Sequence, residues 1–234
     1  MGTHTVGAGA HSRAAWVAGG SGSLGHALVT ELARQGWMGQ STGRRKMGGE
    51  VPGGWQYTDV DALNWDALAR FASDSWAEGG LKGLAVTVGS FSGSSLDPEQ
   101  DPDSLPRMLD SNTEAVWNVL RAAGPYLQED AAVVLTAAWS PLIHPAPLGQ
   151  VAYRASKSAV ISIGEGFAEE WAARGIRVNL VAPAVLDTEA NRQTMPGQGH
   201  RNWVDVSDAA RVMAFLLSDA ARAVTGAILP LRMG

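Results

Sequence analysis

Cysteine is absent from the 234 residues. Its absence excludes a disulfide framework, a thiolate metal site and a cysteine nucleophile, and it suits a reducing, cytoplasmic compartment. Histidine is sparse as well: His4, His11, His26, His144 and His200 show no ligand spacing, so no metal site is expected. No run of 18 apolar residues occurs, and the first 13 residues lack the apolar segment of a signal peptide. Residues 1–13 are therefore expected to be a flexible tail, followed by a single domain over 14–234, with no membrane association. Positive charge is not in excess either: 18 Lys and Arg stand against 23 Asp and Glu, a net charge of -5, which argues against nucleic acid as a partner. Small-molecule chemistry is the reading that remains.

What the chain does contain is a repeated alternation of apolar runs and glycine stops, with 45% hydrophobic residues to build a core. Residues 14–18 (AAWVA) read as a strand that stops at a glycine cluster, and Leu24, Ala27, Leu28, Glu31 and Leu32 follow at helical spacing. Gly36 ends that helix, and further strands are expected at 37–42, 55–60, 81–88, 131–137, 176–182 and 227–231. Helices are expected at about 64–77, 105–128, 153–174 and 207–217, with Asn64 and Gly175 as cap and stop signals. Residues 187–203, polar and without period, read as a flap. The alternation implies an α/β fold, a doubly wound parallel sheet of about seven strands with helices on both faces.

The glycine cluster AGGSGSLG, residues 18–25, directly follows a strand and opens a helix. In that context helix-start amides favour an anion, so Gly19, Ser21, Gly22, Ser23, Leu24 and Gly25 are a candidate cradle for a dinucleotide pyrophosphate; an ordinary tight turn is the alternative. After the second strand come Arg44 and Arg45, where an NAD-specific fold would place a carboxylate for the ribose diol. Guanidinium groups there suit a 2′-phosphate, which points to NADP(H) in preference to NAD(H), although a solvated basic turn has the same composition.

Tyr153 and Lys157 lie four apart in the helical segment YRASK and project from one face. An ammonium beside the phenol would lower its pKa and make Tyr153 a general acid. With YRASK, Ser140 placed 13 residues before the tyrosine, and the segments LDSNTEAVWNVLRAAGPYL and RVNLVAPAVLDT, the chain resembles the short-chain dehydrogenase/reductase family from Ala14 to Met233. The resemblance implies a Rossmann-like fold and a catalytic set of Asn112, Ser140, Tyr153 and Lys157. It implies that Pro183, Leu186 and Thr188 hold the nicotinamide carboxamide, that Asp59 and Val60 meet the adenine, and that Val88 and Gly89 also contact the cofactor. There are departures: Ala18 and Ser23 replace a threonine and a glycine of the family's glycine motif, Val86-Thr87-Val88-Gly89 replaces Asn-Asn-Ala-Gly, and Ala184 replaces a glycine.

The reaction implied is hydride transfer between NADP(H) and a small, planar or moderately apolar carbonyl compound. Tyr153 would protonate the carbonyl oxygen, Ser140 would donate to it, Lys157 would hold the ribose and keep the tyrosine acidic, and Asn112 would anchor a water. By chain position the substrate wall comprises Phe91, Trp139, Leu142, Met195 and Trp203, with Ser90, His144, Gln150 and Asn191 beside them. Residues 186–196 (LDTEANRQTMP) with Trp203, and VGSFSG at 88–93, resemble the dihydropteridine reductase branch, which makes quinonoid dihydropterin an alternative substrate. Ser140, and Phe91 in place of a tryptophan, depart from that branch. A non-catalytic dinucleotide-binding redox sensor is the rival class. A homo-oligomer, dimer or tetramer, is expected, since the long helices near 105–128 and 152–174 form a dimer face in many members.

Overall fold

The computed structural model describes residues 13–44, 51–78, 80–93, 101–195 and 200–233. The strands among them are β1 (Ala14–Ala18), β2 (Met38–Gly43), β3 (Trp55–Asp59), β4 (Leu81–Val86), β5 (Leu127–Thr136), β6 (Arg177–Pro183), β7 (Leu186–Asp187), β8 (Val204–Asp205) and β9 (Ile228–Leu231). Seven of them form one parallel sheet in the order β3-β2-β1-β4-β5-β6-β9, while β7 and β8 pair only with each other. The helices are α1 (Ser23–Arg34), α2 (Trp65–Trp76), α3 (Ser104–Met108), α4 (Ala115–Ala123), α5 (Val151–Glu170), α6 (Glu189–Thr194) and α7 (Val206–Leu217).

The central strands are near-continuous apolar runs because helices cover both faces of the sheet. Alternate residues feed two separate cores. Trp16, Leu84, Val133 and Leu180 pack with Leu68, Val116, Leu120 and Val160 of α2, α4 and α5. Val17, Ala85, Val134 and Val181 pack with Leu28, Leu32, Met213 and Leu217 of α1 and α7 on the opposite face. Trp16 is wholly buried, and its indole N–H is satisfied by Thr42 Oγ1 at 3.0 Å.

Strand order reverses at β1, which pairs with β2 on one side and β4 on the other. A crevice therefore opens beyond the carboxyl ends of β1 and β4, the place where open α/β sheets bind ligands. The glycine loop after β1 and the segment after β4 form its two lips.

Several elements depart from their sequence expectation. The helix expected at 105–128 is broken: α3 leads into a π-helical turn at Leu109–Glu114, then α4, which stops at Ala123 before a short 3₁₀ turn at Gly124–Tyr126. β5 begins at Leu127, four residues ahead of its apolar run, and pairs with β4 through a register shift between Leu81 and Gly83. The flap at 187–203 contains ordered structure despite its lack of period. Thr188 caps α6 through Oγ1, which accepts from the Asn191 amide at 3.1 Å, and β8 returns to pair with β7. Residues 1–12 of the expected tail lie outside the described residues. No helix among the described residues is long and apolar enough to cross a membrane.

Candidate active site

The first lip of the crevice is made of backbone. Gly19 has φ 98°, and a Cβ there would stand 2.5 Å from Thr87 Oγ1 and 2.8 Å from Val88 N, so only glycine lets the two lips meet. A Cβ on Gly25 would lie 2.2 Å from Gly19 O, which makes a second glycine necessary where α1 crosses the loop. The loop is tied to the sheet by the Gly19 and Gly20 amides, which donate to Thr42 O at 2.8 and 2.9 Å. Helix α1 has no side-chain cap at Gly22, and its first backbone bond runs from His26 N to Gly22 O at 2.9 Å. The amides of Ser23, Leu24 and Gly25 precede that bond, leaving an electropositive helix start at the crevice.

Two adjoining cavities of about 480 and 280 Å³ occupy the crevice and share Gly22, Thr87, Val88, Gly89 and Ser90. Gly19, Ser21, Arg44 and Val60 line the smaller one, together with Thr42, Gly43 and Leu63. Asp59 is exposed and lines neither cavity, although it pairs with Gly43 in the sheet register. Arg45 lies outside the described residues. Ser23, Leu24, Gly25, Ser140, Tyr153, Lys157, Pro183, Leu186 and Thr188 all line the larger cavity.

Three elements carry the side chains nominated as catalytic. Helix α5 carries Tyr153 and Lys157 on one face. Lys157 is buried, donates to Thr136 O at 2.9 Å, and is pushed down to about 8 by burial. Burial also pushes the Tyr153 phenol up to about 12. This reverses the expectation that Lys157 acidifies the tyrosine: with its ammonium turned to a backbone carbonyl, loss of water around both groups is the larger effect. The ring of Phe91 stands edge-on to Tyr153 at 4.9 Å and supplies part of that burial. Ser140, just beyond β5, has a buried hydroxyl with no hydrogen-bond partner, as does Thr136.

Asn112 sits in the π-helical turn, fully buried. Its Oδ1 accepts from Ser90 N at 3.0 Å, while Nδ2 donates to Ser90 O at 3.0 Å and Ser156 Oγ at 3.2 Å. Ser156 Oγ in turn donates to Tyr153 O at 2.8 Å. Asn112 thus pins the segment after β4 to α5, a role invisible in the sequence. Gly89 completes the junction, since a Cβ there would lie 2.4 Å from Asn112 Oδ1 and 3.1 Å from Lys157 Nζ.

Of the nominated substrate wall, Phe91, Trp139 and Met195 line the larger cavity, as do Ser90, Gln150 and Asn191. Leu142 and His144 are exposed outside it, and Trp203 is buried beside β8 rather than facing it. Ile143, Pro147 and Val185 take those places. Chain position alone had selected neighbours, because an irregular segment has no period to say which side chain turns inward. Arg232, also unforeseen, lays its guanidinium over the Trp139 ring at 5.3 Å.

A family model described as enoyl-(acyl carrier protein) reductase matches residues 21–234. Galactitol 2-dehydrogenase of Rhizobium johnstonii is 34% identical over 195 residues, 75% of this chain and 72% of that protein. A 3-oxoacyl-acyl-carrier-protein reductase of Staphylococcus aureus is 26% identical, with 92% of this chain and 94% of that one covered. Among solved structures, ElxO with NADP bound superposes with a TM-score of 0.84 at 18% identity, covering 94% of this chain and 97% of that one. The chain belongs to the short-chain dehydrogenase/reductase family. It is a nicotinamide-dependent oxidoreductase acting on CH–OH and C=O groups.

Proposed function

We propose that the protein is an NADP(H)-dependent carbonyl reductase and alcohol dehydrogenase for small, planar or moderately apolar carbonyl compounds. The observation that carries this reading is that Ser140, Tyr153 and Lys157 all stand on the wall of the larger cavity, with the Ser140 hydroxyl buried and unpaired. A buried hydroxyl without a partner is costly unless a ligand completes it, and a carbonyl oxygen does so.

The residues present fit a dinucleotide. The glycine loop, in which a Cβ at Gly19 or Gly25 would strike neighbouring backbone, and the uncapped start of α1 suit a pyrophosphate held by Gly19, Ser21, Gly22, Ser23, Leu24 and Gly25. Arg44, at the rim of the smaller cavity with Ser21 and Gly43, would pair with a 2′-phosphate, and Arg45 is assigned the same part. Val60, Val88, Gly89, Pro183, Leu186 and Thr188 would wall the adenosine and nicotinamide ends. Asp59 keeps an adenine contact only if the cofactor reaches over Val60. When bound, the nicotinamide supplies or accepts the hydride.

The chain's own residues handle the proton and the charge. Ser140 donates to the carbonyl oxygen, and Tyr153, protonated throughout the neutral range, delivers the proton as negative charge develops there. Lys157, held by Thr136 O, keeps a positive charge within the junction and sits where a ribose would reach it. Asn112 holds the lip carrying Ser90 in register with Tyr153, and its family role as a water anchor is retained in this reading. Phe91, Trp139 and Met195 give the reacting end an apolar wall.

The name of the 34%-identical relative, galactitol 2-dehydrogenase, supports alcohol and ketone chemistry, and ElxO's bound NADP supports the cofactor choice. Neither the pterin branch nor a redox sensor has need of an unpaired serine at this point. The test is nicotinamide oxidation, NADPH against NADH, over a panel of quinonoid dihydropterin, quinones, diketones, aryl ketones and 3-oxoacyl thioesters. Faster turnover with NADPH on a non-pterin carbonyl is expected; tight binding without turnover would leave the sensor. A homo-oligomer is part of the proposal: Trp117 of α4, 44% exposed, meets Phe167 of α5 in a tilted ring pair with centroids 5.7 Å apart. A cytoplasmic setting belongs to it as well, on the lack of cysteine.

A further inference from the structure

The irregular segment after β4 carries Phe91 onto the catalytic helix, and the chain is fastened on both sides of that residue. Ser90, just before it, has its backbone N–H and C=O both taken by the Asn112 side chain at 3.0 Å, and its hydroxyl donates to Ser111 Oγ at 2.9 Å. Gly93, two residues after it, runs so close to the chain ahead of α5 that a Cβ would stand 3.8 Å from Gly149 O. Between these points the Phe91 ring, on the wall of the larger cavity, meets the Tyr153 ring at 4.9 Å with the planes at 88°. The same amide serves the second ring: Asn112 Nδ2 donates to Ser156 Oγ at 3.2 Å, and Ser156 Oγ donates to Tyr153 O at 2.8 Å. One buried side chain therefore holds both members of the ring pair, which makes the contact a built part of the site.

What the pair does follows from the surroundings of the phenol. On α5, Arg154 is the next residue in the chain, and Lys157 gives its ammonium to Thr136 O; pushed down to about 8 by burial, Lys157 is neutral where a tyrosine titrates. The π-helical turn meets α5 through Asn112 and Thr113, both uncharged, and Arg107 of α3 is taken by Asp101. Ser140 and Phe91 bring no charge, and among the described residues no Asp or Glu lines the larger cavity. Loss of water is thus what moves the Tyr153 phenol, and Phe91 is the ring laid against it.

We infer that Phe91 is a positioning residue: locked in place through Ser90 and Asn112, it keeps water off the Tyr153 phenol and so sets the site to work as a reductase. The inference rests on the carbonyl reductase reading above and gives it a direction. In reduction the phenol O–H bond breaks as hydride from the reduced nicotinamide reaches the carbonyl carbon; the carbonyl oxygen takes the proton, and the phenolate left behind is reprotonated from water. In oxidation the phenolate must be present at the outset to take the carbinol proton, and a shielded phenol supplies little of it. Reduction starts from the abundant form of Tyr153, and oxidation from the scarce one.

The experiment is a tyrosinate titration of the full-length protein, read by near-ultraviolet absorbance immediately after a jump in pH, in wild type, Phe91→Ala and Phe91→Leu. Phe91 is 52% exposed, so its truncation spares the core. Subtracting the matching Tyr153→Phe protein separates Tyr153 from the other two tyrosines. Neither cofactor nor substrate is needed, so the result stands apart from the carbonyl reductase reading. The expected midpoint for Tyr153 is about 12 in wild type. It falls by about one pH unit in Phe91→Ala and stays close to wild type in Phe91→Leu, which keeps an apolar cover. A wild-type midpoint at the ordinary 10 overturns the inference, as does an Ala variant that titrates with wild type or a Leu variant that falls as far as Ala. In turnover, the alkaline limb of carbonyl reduction moves down by about the same one unit in Phe91→Ala, and near neutral pH the wild-type kcat for reduction exceeds that for the matching alcohol by about tenfold or more. A limb that does not move, or an oxidative kcat equal to the reductive one, overturns the direction. Silence across the carbonyl panel beside the expected titration marks failure of the carbonyl reductase reading, and the direction falls with it while the shield stands.

Discussion

At the β1 end of the crevice the working surface is backbone and glycine, and at the α5 end it is side chain. In the first region Gly19 and Gly25 stand where any Cβ would meet main-chain atoms, and the helix-start amides are left without a side-chain cap. In the second, Ser140, Gln150, Tyr153 and Lys157 present polar groups that burial has left either unpaired or shifted from their ordinary protonation. The difference teaches that the two ends are expected to fail in different ways. Damage at Gly19 or Gly25 is expected to act through steric exclusion on structure and ligand affinity together, whereas damage at the α5 end is expected to act on chemistry and, at the buried Lys157, on the pH dependence of stability.

The sharpest way to break that contrast is Tyr153→Phe. Turnover is expected to fall by about three orders of magnitude, with NADPH binding, read by nicotinamide fluorescence, retained. A variant with near wild-type rate would remove Tyr153 from the reaction.

Next in size is the buried lysine. Lys157 has a folded-state value of about 8 against an ordinary 10.5. Between those values the unfolded chain holds the proton and the folded one does not, so stability rises with pH across the window and is lost again as pH falls through 8. Against Lys157→Met, wild type should gain about 3 kcal/mol between pH 8 and 10.5, measured by urea unfolding. Tyr153 opposes this above pH 10 but is common to both proteins and cancels in the difference. A flat difference would show that Lys157 keeps its solvation.

Gly25→Ala comes third. Its Cβ would press on Gly19 O and C, both backbone, and the expected cost is about 1–3 kcal/mol in stability with weakened NADPH binding. Arg44→Ala is expected to weaken NADPH about tenfold, the scale of one charge-assisted phosphate contact at an exposed site, and to leave NADH affinity in place; titration of both cofactors checks it. The smallest effect belongs to Gly22→Ala, where the added Cβ meets only Gly19 O at 3.4 Å with φ at −84°. Stability within about 0.5 kcal/mol of wild type is expected there, and a large loss would mean that the loop's tolerance is misjudged.

Much of this was legible in the chain as written. Apolar runs such as AAWVA and LKGLAV mark buried parallel strands because both faces need covering, and the glycine cluster after β1 marks a turn that side chains cannot make. The spacing of Ser140, Tyr153 and Lys157 carried the family. Less legible were features set by contacts between distant segments. The π-helical turn around Asn112 interrupts a helix whose periodicity reads straight through, and its amide is spent on Ser90, 22 residues away. Leu142 and Trp203 were assigned to the substrate wall, yet Ile143, Pro147 and Val185 stand there. The tyrosine's direction of shift was also misread, because a lysine four residues away suggests an ion pair when nothing in the sequence reports that Thr136 O captures its ammonium.

By itself the sequence determined the alternation of strands and helices that builds the parallel sheet, the glycine turn after β1, and the residue pattern that marks the family, since all three follow from local periodicity, steric demand and residue chemistry. Only the tertiary structure decided which loop residues turn into the cavity, which polar atoms are left without partners, and which way burial moves Tyr153 and Lys157. Those outcomes depend on what each group loses to water and gains from residues far along the chain, and no local pattern records that balance.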